Sequence, residues 1–196
     1  KFISVGFFAL IVVFQQEIRK FLLLIGSTNF ASKRSVVRYF NFLNQDQGSL
    51  NIDLKALLNA CNKMANEKTG AIIVFERENN LDFLQNTGDE ANIELSGQIL
   101  ETIFFKNSPL HDGAVIVKNN FIKATRVVLP VSESASIPSR FGLRHRAAIG
   151  ISEKTDAVVL VISEQSGKIS YIKDGTFCKF KSIDDLMRLL NEDLSL

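Results

Sequence analysis

Short runs of β-branched and aliphatic residues constrain the fold of this chain more than any other feature. They are GAIIVFER at 70–77, AVIVK at 114–118 and DAVVLVIS at 156–163. Runs of this length and composition are typical of strands that are buried on both faces of a sheet. Segments with apolar residues at helical spacing lie between them. The sequence therefore predicts an α/β (mixed α+β) domain in which helices flank a central mixed sheet of about five to seven strands.

Local signals place the remaining elements. Side chains that can cap a helix precede three helical patterns, an Asn-Asn pair marks a tight hairpin, and a proline marks a first helical turn. We expect helices that start at Asp53, Ser96 and Ser182, and Asp185 would complete a capping box at the last of them. The other expected elements are a turn-rich stretch before Leu95, a return strand at 121–129, a short helix at 138–149 and a strand at 169–173.

The first 52 residues are predicted to lie outside this domain. Residues 2–14 form an uncharged apolar run, shorter than the about 20 residues that cross a bilayer. The amphipathic continuation favours one helix over 1–26, the end of a truncated membrane span, with a buried core helix as the alternative. Basic residues beyond the run favour the span and a cytoplasmic location for the rest of the chain. We expect a linker over 27–52 and the main domain over 53–196.

Composition excludes several kinds of site. The net charge of +2 argues against a protein that coats nucleic acid through bulk charge. Cys61 and Cys178 are far apart and near neither histidine, which excludes a zinc cluster or disulfide framework and fits a reducing compartment. Because the chain has only two histidines, a three-histidine metal site is excluded. Neither common glycine-rich phosphate motif is present.

The first candidate site is SPLHDGAVIV at 108–117. A histidine and a carboxylate at a strand entrance, His111 and Asp112, could hold a metal or accept a proton from a hydroxyl. Gly113 would let a substrate approach the backbone closely. The alternative is a plain turn, since Asp-Gly is a common turn dipeptide.

The second candidate site is PSRFGLRHRAAIGISE at 138–153. Its first part carries Arg140, Arg144, His145 and Arg146 without an acidic residue, and the apolar residues after them indicate packing against a core. Arginines near the start of a helix suit a polyphosphate. A solvated basic face or a nucleic-acid contact is the alternative. Glu164 comes directly after the strand at 156–163, where it could face a ligand crevice or simply belong to a turn.

Taken in order, five segments resemble a diadenylate cyclase domain over about residues 55–175. They are GAIIVFER, SPLHDGAVIV, the LP at 129–130, GLRHRAAIGISE and DAVVLVISEQSG. The apolar helix that runs into FQQEIRKFL resembles the membrane-bound class of this family. The chain departs from the family at Leu143, where threonine is common, and at Val128, where many relatives carry an aromatic residue.

The resemblance implies a nucleotidyltransferase that joins two ATP molecules into cyclic di-AMP and releases two pyrophosphates. Each ribose 3′-hydroxyl would attack the α-phosphate of the facing nucleotide across a homodimer. In the implied site, Asp112 assists the 3′-hydroxyl, and the nucleotide is lined by Gly113, Ala114 and Leu129. The phosphates are held by Arg144, His145 and Arg146. A divalent cation, Mg²⁺ or Mn²⁺, lies beside His111 and Glu164.

The resemblance also implies a bacterial cell-membrane protein whose catalytic domain, 53–196, lies on the cytoplasmic side. Relatives of this class can bind a phosphoglucosamine mutase that restrains them. One alternative is a non-catalytic nucleotide-binding sensor of the same fold. Another is a nucleic-acid-binding module that uses residues 140–146, but the near-neutral charge disfavours it, and we expect no nucleic-acid partner.

Overall fold

The computed structural model describes residues 53–134, 137–138 and 140–194. Within these ranges the chain forms five helices and seven strands. In chain order they are α1 (Leu54–Asn66), β1 (Ala71–Phe75), α2 (Asp82–Gln85), β2 (Asp89–Glu94), α3 (Gly97–Phe104), β3 (Ala114–Lys118), β4 (Phe121–Val127), α4 (Leu143–Lys154), β5 (Val158–Ile162), β6 (Ile169–Lys173), β7 (Thr176–Cys178) and α5 (Ile183–Leu194).

The seven strands form one mixed sheet in the order β2-β4-β3-β1-β5-β6-β7. The β1–β3 pair is parallel, with Ile73 opposite Val115, whereas the other pairs are antiparallel. The three apolar runs of the sequence are thus β1, β3 and β5, which lie side by side at the centre. The predicted fold class and strand number are confirmed.

Each central strand contributes side chains to both faces of the sheet. In β1, Ile73 and Phe75 pack into a core that includes residues of α1, α3 and α5. Ile72 and Val74 pack into a second core on the opposite face, together with Ile149 of α4. Because successive strand residues point to opposite faces, a strand covered on both sides must be apolar throughout.

The predicted helix caps are present. Asp53 Oδ1 accepts a hydrogen bond from the Ala56 backbone N–H at 2.9 Å, and Ser96 Oγ accepts one from Ile99 at 3.3 Å. Ser182 Oγ accepts a hydrogen bond from the Asp185 backbone N–H at 3.2 Å, whereas the Asp185 carboxylate accepts one from the Lys181 N–H at 3.0 Å and not from that of Ser182. These bonds satisfy backbone donors that lack a partner in the first turn of a helix.

The structure differs from the sequence-based expectation at several elements. The helix expected from residue 138 begins at Leu143, because Pro138 opens a separate turn closed by the Phe141 N–H. The return strand ends at Val127 rather than at residue 129. The turn-rich stretch contains α2 and the edge strand β2, whose mostly exposed side chains lack an apolar alternation.

The predicted N-terminal helix at 1–26 and linker at 27–52 lie outside the described residues. In the part of the chain that is described, no helix combines the length and apolar character needed to cross a membrane.

Candidate active site

Asp112 and Gly113 immediately precede β3, at the mouth of a cleft of about 570 Å³. Asp112 is exposed, and its carboxylate has no hydrogen-bond or ion-pair partner among the described residues. Ala114, the first residue of the strand, is buried. The carboxylate is therefore free to accept a hydrogen bond from a ligand in the cleft.

Gly113 has a structural reason to be glycine. Its φ of +127° is a conformation that residues with side chains rarely adopt. A Cβ there would lie 2.5 Å from the Arg126 carbonyl carbon and 2.6 Å from the Arg126 Cα. From the sequence we expect the substrate to approach the backbone closely at Gly113. In the structure it is the backbone of the neighbouring strand β4 that lies close to this residue.

The second half of the cleft is the start of α4. Gly142 is the N-cap residue, and no side chain within the described ranges caps this helix. The backbone donors of the first turn and the helix dipole therefore add to the positive charge of Arg144. An anion is the ligand that such an arrangement stabilises.

Arg144 forms an ion pair with Glu164 across the cleft. The Nη1–Oε2 distance is 2.6 Å, and the two side chains are 31% and 57% exposed. The hydrogen bond from Arg144 and its charge lower the pKa of Glu164, with smaller contributions from Lys106 and His111. Glu164 is thus ionised at neutral pH, and both predicted residues line the same cleft.

His145 lines the cleft but is buried, with 6% of its surface exposed. Its Nε2 lies 3.3 Å from Ser170 Oγ, and its ring centroid lies 4.8 Å from that of Phe141, which stacks on Phe177. Burial lowers the pKa of His145, which favours the neutral imidazole at pH 7. His145 therefore contributes polarity and packing to the wall more than positive charge.

His111 lies beside the cleft rather than in its wall. Its Nδ1 is 2.6 Å from the Ser108 carbonyl oxygen. Because a carbonyl only accepts, Nδ1 carries the proton and donates it, which leaves Nε2 as an acceptor in the neutral ring. In its charged form His111 also lowers the pKa of Glu164, which places the two side chains near each other.

The cleft brings most of the predicted site residues together. Those that line it are Asp112, Gly113, Ala114, Leu129, Arg144, His145 and Glu164. Arg146 and His111 are not part of this lining. The Arg146 carbonyl instead accepts a hydrogen bond from the Ser132 N–H at 3.0 Å, so this residue helps to hold the 128–132 loop on α4. A phosphate contact by Arg146 stays a prediction.

Sequence reasoning missed an apolar rim on this cleft. Val128, Val131 and Leu143 all line it, and they are 65%, 48% and 76% exposed. In the sequence, Leu143 and Val128 are notable only as departures from a family pattern. Three exposed aliphatic side chains around one opening are a surface that binding would bury.

Comparisons with known proteins agree with this geometry. A family model described as DAC, DisA bacterial checkpoint controller nucleotide-binding, matches residues 58–177. A Listeria monocytogenes protein named diadenylate cyclase is 37% identical over 189 residues, which cover 96% of this chain and 66% of the relative. The cyclic di-AMP synthase CdaA of Bacillus subtilis is 38% identical over 191 residues, 97% of this chain and 64% of the relative.

Two solved structures are also similar. A crystal structure of a DacA double mutant from Staphylococcus aureus has a TM-score of 0.70 and 37% identity, over 76% of this chain and 98% of that one. A Bacillus cereus protein described as a hypothetical membrane-spanning protein has a TM-score of 0.63 and 30% identity, over 91% and 94%.

The chain spans 64–66% of the length of the two curated relatives. The family match covers every element from within α1 to within β7, including both halves of the cleft. The resemblance to diadenylate cyclases that the sequence motifs carry is confirmed. The chain belongs to the DAC family of bacterial nucleotide-binding domains.

Proposed function

We propose that this chain is the catalytic part of a diadenylate cyclase, which condenses two ATP molecules into cyclic di-AMP with release of two pyrophosphates. The observation that carries the proposal is the meeting, in one cleft, of the Asp112 carboxylate with Arg144 and the start of α4. Among the described residues, Asp112 has no partner and no side chain caps this helix. In-line displacement at phosphorus needs positioning and charge neutralisation, and it needs no covalent protein nucleophile.

Asp112 acts on the attacking hydroxyl in this proposal. An exposed carboxylate without a partner in the described chain can accept a hydrogen bond from a ribose 3′-hydroxyl and take its proton during attack. The neighbouring backbone of Gly113 and Ala114, together with Leu129, lines the nucleotide. The uncharged, partly apolar character of this side suits a base and a sugar better than phosphates.

Arg144 exchanges partners when ATP binds. In the structure its guanidinium is paired with Glu164. Ion pairs near the surface contribute little to stability, so exchanging the carboxylate for a phosphate costs little. A phosphate also offers more acceptor oxygens and more negative charge to the guanidinium. The first turn of α4 lies beside it and stabilises the same charge.

The family resemblance implies a divalent cation, and the residues beside the cleft fit one in part. The Glu164 carboxylate, which the exchange at Arg144 would release, is a suitable oxygen donor. His111 Nε2 is a nitrogen donor, which such hard cations accept less readily. No group of three or more His, Cys, Asp or Glu side chains within the described ranges could hold a metal by itself. Phosphate oxygens of ATP would therefore complete the coordination of Mg²⁺ or Mn²⁺. When bound, such an ion would supply neutralisation of the phosphate charge.

The cleft has the volume usual for one small ligand. With one nucleotide in each cleft, the second nucleotide of the reaction would come from a second copy of the chain. The exposed rim formed by Val128, Val131 and Leu143 is where a facing subunit would bury apolar surface. We therefore infer a homodimer with its two clefts face to face.

Dilution tests this arrangement. The rate of cyclic di-AMP formation per subunit is expected to fall as protein concentration drops below the dimer dissociation constant. The rate and the mass of the protein in solution are measured over the same dilution series. A constant rate per subunit in samples that are demonstrably monomeric would contradict the face-to-face requirement.

Replacing Arg144 with Ala is expected to weaken ATP binding by about tenfold or more, because a charge-assisted hydrogen bond is worth about 1.5–3 kcal/mol. Calorimetric titration with ATP measures the effect, and circular dichroism checks that the fold is intact. Arg188→Ala is the matched control, because it removes a surface arginine that is paired with Asp185 and Glu192 and does not line the cleft. Equal ATP affinity of Arg144→Ala and wild type would exclude the phosphate contact.

The membrane assignment is part of the proposal. Residues 1–26 would be the end of a membrane span and 27–52 a linker, with the domain at 53–196 on the cytoplasmic side. The similarity to a protein described as membrane-spanning supports this. Phosphoglucosamine mutase stays a predicted partner, and a nucleic-acid partner is not expected.

Product analysis tests the proposed activity. The purified chain is incubated with ATP and Mn²⁺ or Mg²⁺, and the nucleotide products are identified by mass. Cyclic di-AMP is expected. Binding of ATP without its consumption would instead identify a nucleotide sensor of the same fold. Absence of ATP binding would exclude both the cyclase and the sensor hypothesis.

A further inference from the structure

Gly70 is buried directly before β1, and its backbone conformation does not explain why it is glycine. The glycines with positive φ in the described ranges are Gly113, Gly167 and Gly175. Gly70 is not among them, so alanine could adopt its φ. The reason for glycine must therefore lie in the space around it.

That space is filled by the arginine of the cleft. A Cβ on Gly70 would lie 2.6 Å from Arg144 Nη1 and 2.8 Å from Arg144 Cζ. It would also lie 3.2 Å from the Glu164 Cβ. Non-bonded heavy atoms in good contact are about 3.5–4.0 Å apart. Any side chain at residue 70 would therefore overlap with the position of the guanidinium.

We propose that Gly70 is a positioning residue for nucleotide binding: the absence of a side chain there sets where the Arg144 guanidinium lies in the cleft. The inference rests on the proposed function, in which Arg144 binds a phosphate of ATP. In the structure Glu164 holds the guanidinium over Gly70. In the proposal a phosphate takes the place of that carboxylate while the guanidinium stays over Gly70.

The backbone around Gly70 is fixed more firmly than the arginine. The preceding Thr69 donates its N–H to the Met64 carbonyl at the end of α1, at 2.8 Å. The next element, β1, pairs with β3 on one side and with β5 on the other. An added methyl group would therefore displace the end of the flexible Arg144 side chain rather than the backbone, and Gly70→Ala should fold.

A double-mutant cycle tests the proposal. The affinity for α,β-methylene-ATP, in which the bond to be broken is replaced, is measured by calorimetry for wild type, Gly70→Ala, Arg144→Ala and the double variant. Thermal unfolding is monitored in parallel. Gly70→Ala is expected to weaken binding roughly tenfold in the wild-type background, because the charge-assisted bond is misplaced. In the Arg144→Ala background it should have less than about a twofold effect, because no guanidinium remains to be displaced.

Four results would overturn the proposal, and they are distinguishable. If Gly70→Ala binds as wild type does while Arg144→Ala binds weakly, Gly70 does not position the arginine, although the proposed function stands. Equal losses in both backgrounds, or loss of folding in both Gly70 variants, indicate that glycine serves the backbone. If Arg144→Ala also binds as wild type does, the phosphate contact of the proposed function fails with it.

Discussion

Asp112→Asn is expected to lower the rate of cyclic di-AMP formation by about 10²–10⁴-fold, because the variant loses the carboxylate that takes the hydroxyl proton in the proposed mechanism. ATP binding should persist, since Arg144 and the start of α4 are unchanged. The fold should persist too, because Asp112 is exposed and asparagine has the same shape and forms turns equally well. The rate is measured by product quantification at saturating ATP, beside calorimetric titration of the same protein.

The alternative for Asp112 predicts a different pattern. If this residue only forms the turn before β3, Asn should cyclise ATP at nearly the wild-type rate. A rate within about twofold of wild type would therefore contradict the catalytic role. A parallel fall in ATP affinity would instead indicate that Asp112 organises the nucleotide site as a whole.

Gly113→Ala is expected to destabilise the domain by about 2–5 kcal/mol, because an alanine is strained at this φ and its Cβ collides with the backbone of β4. Arg126 cannot move away easily, since it is itself at a φ of +55° beside an irregularity in the β3–β4 register. Urea denaturation measures the free energy of unfolding.

Gly142→Ala is the matched control for this stability measurement. Gly142 has a φ of −76°, and a Cβ there meets nothing within 4 Å. Its substitution should therefore cost no more than the about 1 kcal/mol typical of an unfavourable helix N-cap. Equal unfolding free energies for Gly113→Ala and wild type would show that the close approach to Arg126 does not constrain residue 113.

The central architecture could be predicted from the sequence because burial on both faces leaves an unambiguous pattern. The strands β1, β3 and β5 are apolar at every position that the two cores cover. The edge strands β2 and β7 carry no such pattern. The side chains of β2 are mostly exposed, and β7 has only three residues. Both are strands because they pair with a neighbouring strand, and such pairing does not require a recognisable local sequence pattern.

The candidate site was predictable where its residues are adjacent in sequence. Asp112 with Gly113, and Arg144 with His145, form local motifs, and the cleft contains all four. Relations between distant residues were not predictable. The pairing of Arg144 with Glu164, the contact of Gly70 with the guanidinium and the burial of His145 against Phe141 all depend on how strands and α4 come together.

The most direct test of the account is the stoichiometry of the reaction catalysed by the purified chain. ATP consumed, pyrophosphate released and cyclic di-AMP formed are quantified in the same samples over time. The account predicts that two ATP are consumed and two pyrophosphates are released for each cyclic di-AMP. The reason is that each nucleotide attacks through its 3′-hydroxyl and is attacked at its α-phosphate. Release of one pyrophosphate per two ATP, with a linear dinucleotide as the final product, or ATP that is bound but not consumed, would contradict it.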